Sequence, residues 1–253
     1  MNFVPVMKRE LKSYFYSPIA YVVITIFLIL SGYFFFAMMA AFNRFSQSSF
    51  QNPMANVNIT EMIVRPLFGN ITFILLLILP ILTMRLFAEE KKSGTFELIT
   101  TYPIKDIELV LGKLFACSGV FLVMLLFTFL YPVFMISYSQ PDIGVLATAY
   151  LGIFLMGIAF IAMGTFISSL TENQIVAAVM TFGLLLLFWV LGWISSISEG
   201  TLGEIASKLS LLTHYDSFAK GVIDLSDVIY YLSFIAFSIF LTLRSLESKK
   251  WRS

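Results

Sequence analysis

The stretch RLFAEEKKSGTFELITTYPIKD, Arg85 to Asp106, interrupts an otherwise apolar chain. Before it, Pro66 to Met84 carries no charged residue, and after it Leu114 to Pro141 carries none. Within it, Gly94 is placed to N-cap a helix over Thr95 to Thr101, with Glu97 at the third helical position. Pro103 ends that helix, because the residue before a proline is pushed out of the helical region. IKDIELVLGK then restarts a helix that leads into the next apolar run. A helix this short is not stable alone in water, so it must dock on something. The residues leave two readings open: a short helix presented to a polar groove on a partner, or a solvated connection between two spans.

The surroundings decide which kind of protein contains the insert. Of 253 residues, 59% are hydrophobic and 12% charged, against about 25% charged in soluble domains. A membrane-crossing helix needs ~20 apolar residues, and charges are costly in hydrocarbon, so charge-free intervals mark the spans. Residues 13–43, 66–84, 114–141, 143–171 and 173–198 are such intervals. A shorter one, 228–243, reaches span length if it begins near Leu225 or if Arg244 snorkels. The expected fold is an all-α membrane protein with six transmembrane helices, at about 19–41, 66–86, 113–136, 145–169, 174–197 and 226–245. Residues 1–17 form a separate amphipathic helix, and 18–253 form the six-helix domain.

An even number of spans puts both termini on one side. Twelve Lys and Arg fall on the side of the termini and the insert; only Arg44, Arg65, Lys208 and Lys220 fall on the other. Positive residues stay inside, so the termini and the insert are expected in the cytoplasm. The first apolar run is too long for a cleaved signal and reads as an anchor. At the N-terminus Phe3, Met7, Leu11 and Tyr14/Phe15 share one helical stripe, with Lys8, Arg9 and Lys12 elsewhere. That pattern fits a helix lying in the headgroup layer. Between the fifth and sixth spans, Leu202, Ile205, Leu209 and Leu212 keep near-helical spacing and predict one or two short outer-face helices.

Other chemistry is sparse. The fourth span is rich in small residues, with Gly152, Gly157, Gly164 and Ser168 suited to close helix packing or to a dimer seam. No ionisable residue is expected deep in a span, which argues against an ion-coupled carrier. Cys117 and His214 are each single in the sequence, so neither a disulfide nor a zinc-type cluster is expected. No G-x-x-x-x-G-K-[ST] phosphate loop occurs, so the chain is not expected to bind nucleotide. An intramembrane enzyme is a further alternative, against which the absence of G-x-S-G and H-E-x-x-H argues. No catalytic, cofactor or metal residue is assigned, and no nucleic-acid partner.

EEKKSGTFELITTYPIKDIELVLGK resembles the cytoplasmic coupling segment of type-2 ABC exporter permeases. KRELKSYFYSPIAYVV and LSLLTHYDSFAKGVIDLSDVIYYLS (Leu209 to Ser233) resemble the subgroup with gliding-motility permeases and permeases that help mature nitrous oxide reductase. The likeness spans essentially the whole chain. It implies six spans, an N-terminal elbow helix and a coupling helix seated in a cleft of a separate ATPase. That ATPase, in two copies, would bind ATP and magnesium; a second permease subunit, identical or homologous, would complete the transporter. The resemblance places Glu89, Glu90, Lys91, Lys92, Gly94, Thr95 and Glu97 at the ATPase, with Pro103 ending the helix. It also implies export from a bacterial cytoplasmic membrane. An alternative is an ATPase-driven sensor or scaffold acting on a periplasmic partner without moving cargo.

Overall fold

The computed structural model describes residues 3–49, 60–100, 104–138, 141–197 and 200–250. Among them are twelve α-helices and no strand. α1 (Val4–Tyr16) stops at Ser17, whose extended backbone precedes the proline that begins α2 (Pro18–Ser49). A π-helical turn, Thr60–Val64, enters α3 (Arg65–Thr83), which passes through Met84 into α4 (Arg85–Lys92). α5 (Thr95–Thr100) follows, then α6 (Asp106–Thr128) and α7 (Leu130–Tyr138). α8 (Ile143–Leu170) and α9 (Gln174–Ile197) precede a hairpin of α10 (Thr201–Leu209) and α11 (Leu211–Ala219). α12 (Leu225–Lys250) closes the order.

Six helical stretches are long and apolar enough to cross a membrane: Pro18–Ser46, Met62–Lys92, Asp106–Ser137, Ile143–Leu170, Gln174–Ser195 and Leu225–Ser248. The chain is a multi-pass membrane protein. Its helices outlast the apolar runs that predicted them. The first continues to Ser49 and the second, expected to stop near residue 86, stays helical to Lys92. The end of a charge-free interval marks the edge of hydrocarbon, not the end of a helix.

α8 is the post around which the bundle packs; α3, α6, α9, α11 and α12 all touch it. Its small residues explain the closeness. A Cβ on Gly157 would lie 2.2 Å from Phe121 Cζ, on Gly164 2.1 Å from Thr83 Oγ1, and on Gly152 2.6 Å from Phe218 Cβ. Ser168 donates to the Met84 carbonyl and accepts from the Phe87 and Ala88 amides. All four residues thus pack against neighbours within this chain.

The rod α6–α7 breaks at Phe129. Pro132 has no N–H, so the carbonyl four residues back, on Thr128, loses its helical donor. The Tyr150 hydroxyl of α8 donates to that carbonyl at 2.9 Å, and its ring stacks on Phe129. Neighbouring helices commonly re-satisfy backbone groups freed this way in membranes.

The two ends of α8, ~42 Å apart at 1.5 Å per residue, meet different structures. At its start, Thr148 donates to the Phe218 carbonyl of α11. In the hairpin, Gly203 and Ala206 are buried while Leu202, Ile205 and Leu209 are exposed. Three of the four residues of the stripe read from the sequence therefore face outward, the fourth, Leu212, packs against the core, and the small residues set the approach to α9. His214 is fully partnered: Nδ1 meets Asp227 Oδ1 at 2.6 Å, Nε2 meets the Lys208 carbonyl at 3.2 Å, and the ring stacks on Tyr230.

At the N-terminus Val6 joins the predicted stripe. The buried residues of α1 are Val6 and Tyr14, with Phe3, Met7, Leu11 and Phe15 only half-buried. α1 packs on α6: Val6 fills the space above Gly112, Leu11 that above Gly119, and Phe3 lies 5.3 Å from the Phe115 ring. Much of the apolar side of this helix is covered by protein.

Candidate functional site

The polar insert is two helices and a turn standing at the end of α3. Gly94, with φ +70°, does more than begin α5. Its left-handed backbone also ends α4, with its amide donating to the Lys91 carbonyl. Ser93 donates to the Glu89 carbonyl at 2.9 Å, and Thr95 to the Glu90 carbonyl at 3.3 Å. These hydroxyls satisfy carbonyls that a helix terminus leaves open. The turn presents Glu89, Lys92, Ser93, Gly94, Thr95 and Glu97 as exposed residues. Glu97 stands in the first turn of α5, where a negative charge suits the helix dipole. Pro103 and the predicted end of the helix at Thr101 lie outside the described residues.

Two of the expected contact residues turn inward instead. Lys91 donates to the Ser169 carbonyl at the last turn of α8 and lies over the Phe96 ring. Glu90 belongs to a cluster beneath the turn. Its Oε1 lies 2.9 Å from Arg9 and 2.9 Å from Lys113. Glu10 Oε1 meets the same two cations, at 2.7 Å and 3.1 Å. The four side chains form a closed ring of alternating charge, drawn from α1, α4 and α6. Lys113 is 1% exposed, its ammonium 5.2 Å from the Phe87 ring.

Burial alone would raise the Glu10 carboxyl, but the Lys113 charge and the Arg9 and Lys113 hydrogen bonds outweigh it. Together they hold it below its ordinary 4.5. Burial alone would lower the Arg9 guanidinium; the two glutamates outweigh that and raise it. Arg85 adds a second tie across the same gap. It pairs with Glu89 at 3.6 Å, donates to Ser13 Oγ at 3.1 Å and lies 4.6 Å from the Tyr14 ring centroid. The Tyr14 hydroxyl donates to the Leu82 carbonyl. A cavity of about 740 Å³ opens between α1 and the α4–α5 turn, bordered by Arg9, Ser13, Arg85, Glu89, Thr95 and Ile104.

Sequence reasoning found the turn but missed Arg9, Glu10, Arg85 and Lys113 as a structural group. Two signals were present. Glu10 sits four residues from Val6 and four from Tyr14, on the buried face of α1. Lys113 lies inside a helix continuous with the third span, not in a loop before it.

Among the described residues, then, stand six spans, one packed N-terminal helix and a polar helical turn at the end of the second span. A family model described as ABC-2 family transporter protein matches residues 43–243, and the chain belongs to that family. It is a permease subunit of an ABC transporter. No curated protein matches the chain.

Proposed function

We propose that this permease subunit exports its substrate across a bacterial cytoplasmic membrane, powered by a separate ABC ATPase that seats on the α4–α5 turn. The observation that carries the reading is the turn itself: exposed Glu89, Lys92, Thr95 and Glu97 on a capped helical hairpin that is fastened to α8 and α1. A loop meant only to connect spans needs no such fastening. The Lys and Arg bias supports a cytoplasmic position for the turn and both termini. Family membership supports an ABC ATPase and a second permease subunit as partners. The Leu209–Ser233 stretch supports kinship with the gliding-motility and nitrous-oxide-reductase-maturation subgroup, and export follows from the resemblance of the coupling segment.

Within the turn, Glu89, Lys92, Gly94, Thr95 and Glu97 form the face offered to the ATPase, while Glu90 and Lys91 hold that face in place. The test is affinity capture of the chain from its native membrane, followed by the double substitution Lys92→Glu and Glu97→Lys. Loss of ATPase co-purification with normal membrane insertion is expected. Unchanged co-purification and unchanged ATP hydrolysis would remove the turn from the contact.

A further inference from the structure

α3 and α4 meet at Met84, whose backbone keeps helical angles and whose amide donates to the Pro80 carbonyl, while the Phe87 and Ala88 amides donate to Ser168 Oγ. The Thr83 hydroxyl next to it is tied back to the Leu79 carbonyl. A hydroxyl bonded back to its own helix in this way favours bending, so a force applied at Ser93–Thr95 would bend the arm near this point unless α4 were held on both sides. On one side Ser168 and the Ser169 carbonyl hold it to α8. On the other, Lys113 of α6 pairs with Glu90 of α4, which it shares with Arg9 of α1.

We propose that the Arg9–Glu10–Lys113–Glu90 ring is the joint that makes α1, α4 and the beginning of α6 move as one body, with Lys113 as its positioning residue. This rests on the reading of the α4–α5 turn as the place where work enters. Each cation contacts both carboxylates within 3.1 Å, so no member can leave without stranding its neighbours. Three of the four side chains are largely covered: Lys113 is 1% exposed, Glu10 13% and Glu90 15%. In such surroundings water screens the pairs little, and loss of one partner leaves an uncompensated buried charge. The ring spans elements 81 and 103 positions apart in sequence, so its bonds hold tertiary structure, not a local turn. Gly112 lets Val6 close the same contact from the apolar side. The result is a rigid triangle whose corners are α1, α4 and α6, and a push on α4 is carried into the third span through it.

The experiment uses the whole chain with its captured ATPase in nanodiscs. Spin labels are placed by Lys12→Cys on α1 and Lys105→Cys at the start of α6, both exposed and both outside the face assigned to the ATPase, in a Cys117→Ser background. The within-chain distance is read without nucleotide and with ATP trapped. The native ring is expected to give one narrow distribution that does not shift between the two states. Lys113→Met is expected to broaden it severalfold, and Lys113→Arg to restore most of the native width. Glu90→Gln, which keeps the shape, serves if Lys113→Met does not fold. A native distance that shifts on ATP trapping, or a variant with native width, overturns the joint. If no ATPase binds the native chain, the functional reading fails, and the nucleotide-free widths still decide whether the ring holds α1 to α6.

Discussion

Lys113 shows how one residue's environment constrains it. Its ammonium is sealed from solvent, and two carboxylates approach it within 3.1 Å. Lys113→Met leaves those carboxylates facing each other with only Arg9 between them, and a loss of about 3 kcal/mol is expected. Thermal unfolding in detergent measures it. Adding Glu10→Gln to Lys113→Met should cost less than the sum of the two single changes, because the pair is coupled. The sign of the pH effect follows from Glu10. Its folded value lies below the ordinary 4.5, so its contribution is full above the carboxylate range and is lost as pH falls through the depressed value. Docking of α1 should weaken below about pH 4.5 and be flat above it, read by hydrogen exchange of the α1 amides. Glycines give a second residue-level test. Gly164→Ala places a Cβ against Thr83 and should cost about 1–3 kcal/mol. Gly183→Ala meets nothing within 4 Å and should be neutral or slightly stabilising.

At the scale of elements, the broken rod α6–α7 depends on a donor from another helix. Tyr150→Phe removes the hydroxyl that serves the Thr128 carbonyl. A loss of about 0.6–1.7 kcal/mol is expected, in line with hydrogen bonds between membrane helices. The outer hairpin is tied to α12 in a comparable way. His214 links α11 to Asp227, and Tyr230 and Tyr231 of α12 donate to the Leu209 and Leu211 carbonyls. Tyr231→Phe, at a buried site, should loosen the hairpin, seen as faster proteolysis within 200–224 and little change elsewhere. The elements themselves were legible because charge is costly in hydrocarbon: Glu172 and Asp142 marked the ends of α8 to within a residue or two. The insert was legible as a short helix begun at Gly94, with its docking left open against a solvated connection. The fastening was not. Arg9, Glu10 and Lys113 lie near span ends, where charge reads as topology, and their partners are far away in sequence. The α1 stripe was legible but its partner was not: nothing in the local pattern shows that Gly112 and Gly119 of α6 admit Val6 and Leu11.

For the whole molecule, the architecture separates two ends of one bundle. α8 connects them, meeting the hairpin at its first turns and the α4 arm at its last. A permease of the ABC-2 family needs such a rigid connection, because the energy source sits on one side and the path crosses to the other. The orientation makes the account testable. In a Cys117→Ser background, Ser93→Cys and Ser207→Cys are labelled with a membrane-impermeant maleimide in sealed cells and in inside-out vesicles, with the ATPase present and absent. Ser93→Cys should label only in inside-out vesicles and become protected when the ATPase is bound, while Ser207→Cys labels only in sealed cells. Labelling of Ser93→Cys from the outside, or labelling from the inside that the ATPase leaves unchanged, would contradict the claim that work enters this protein through the α4–α5 turn.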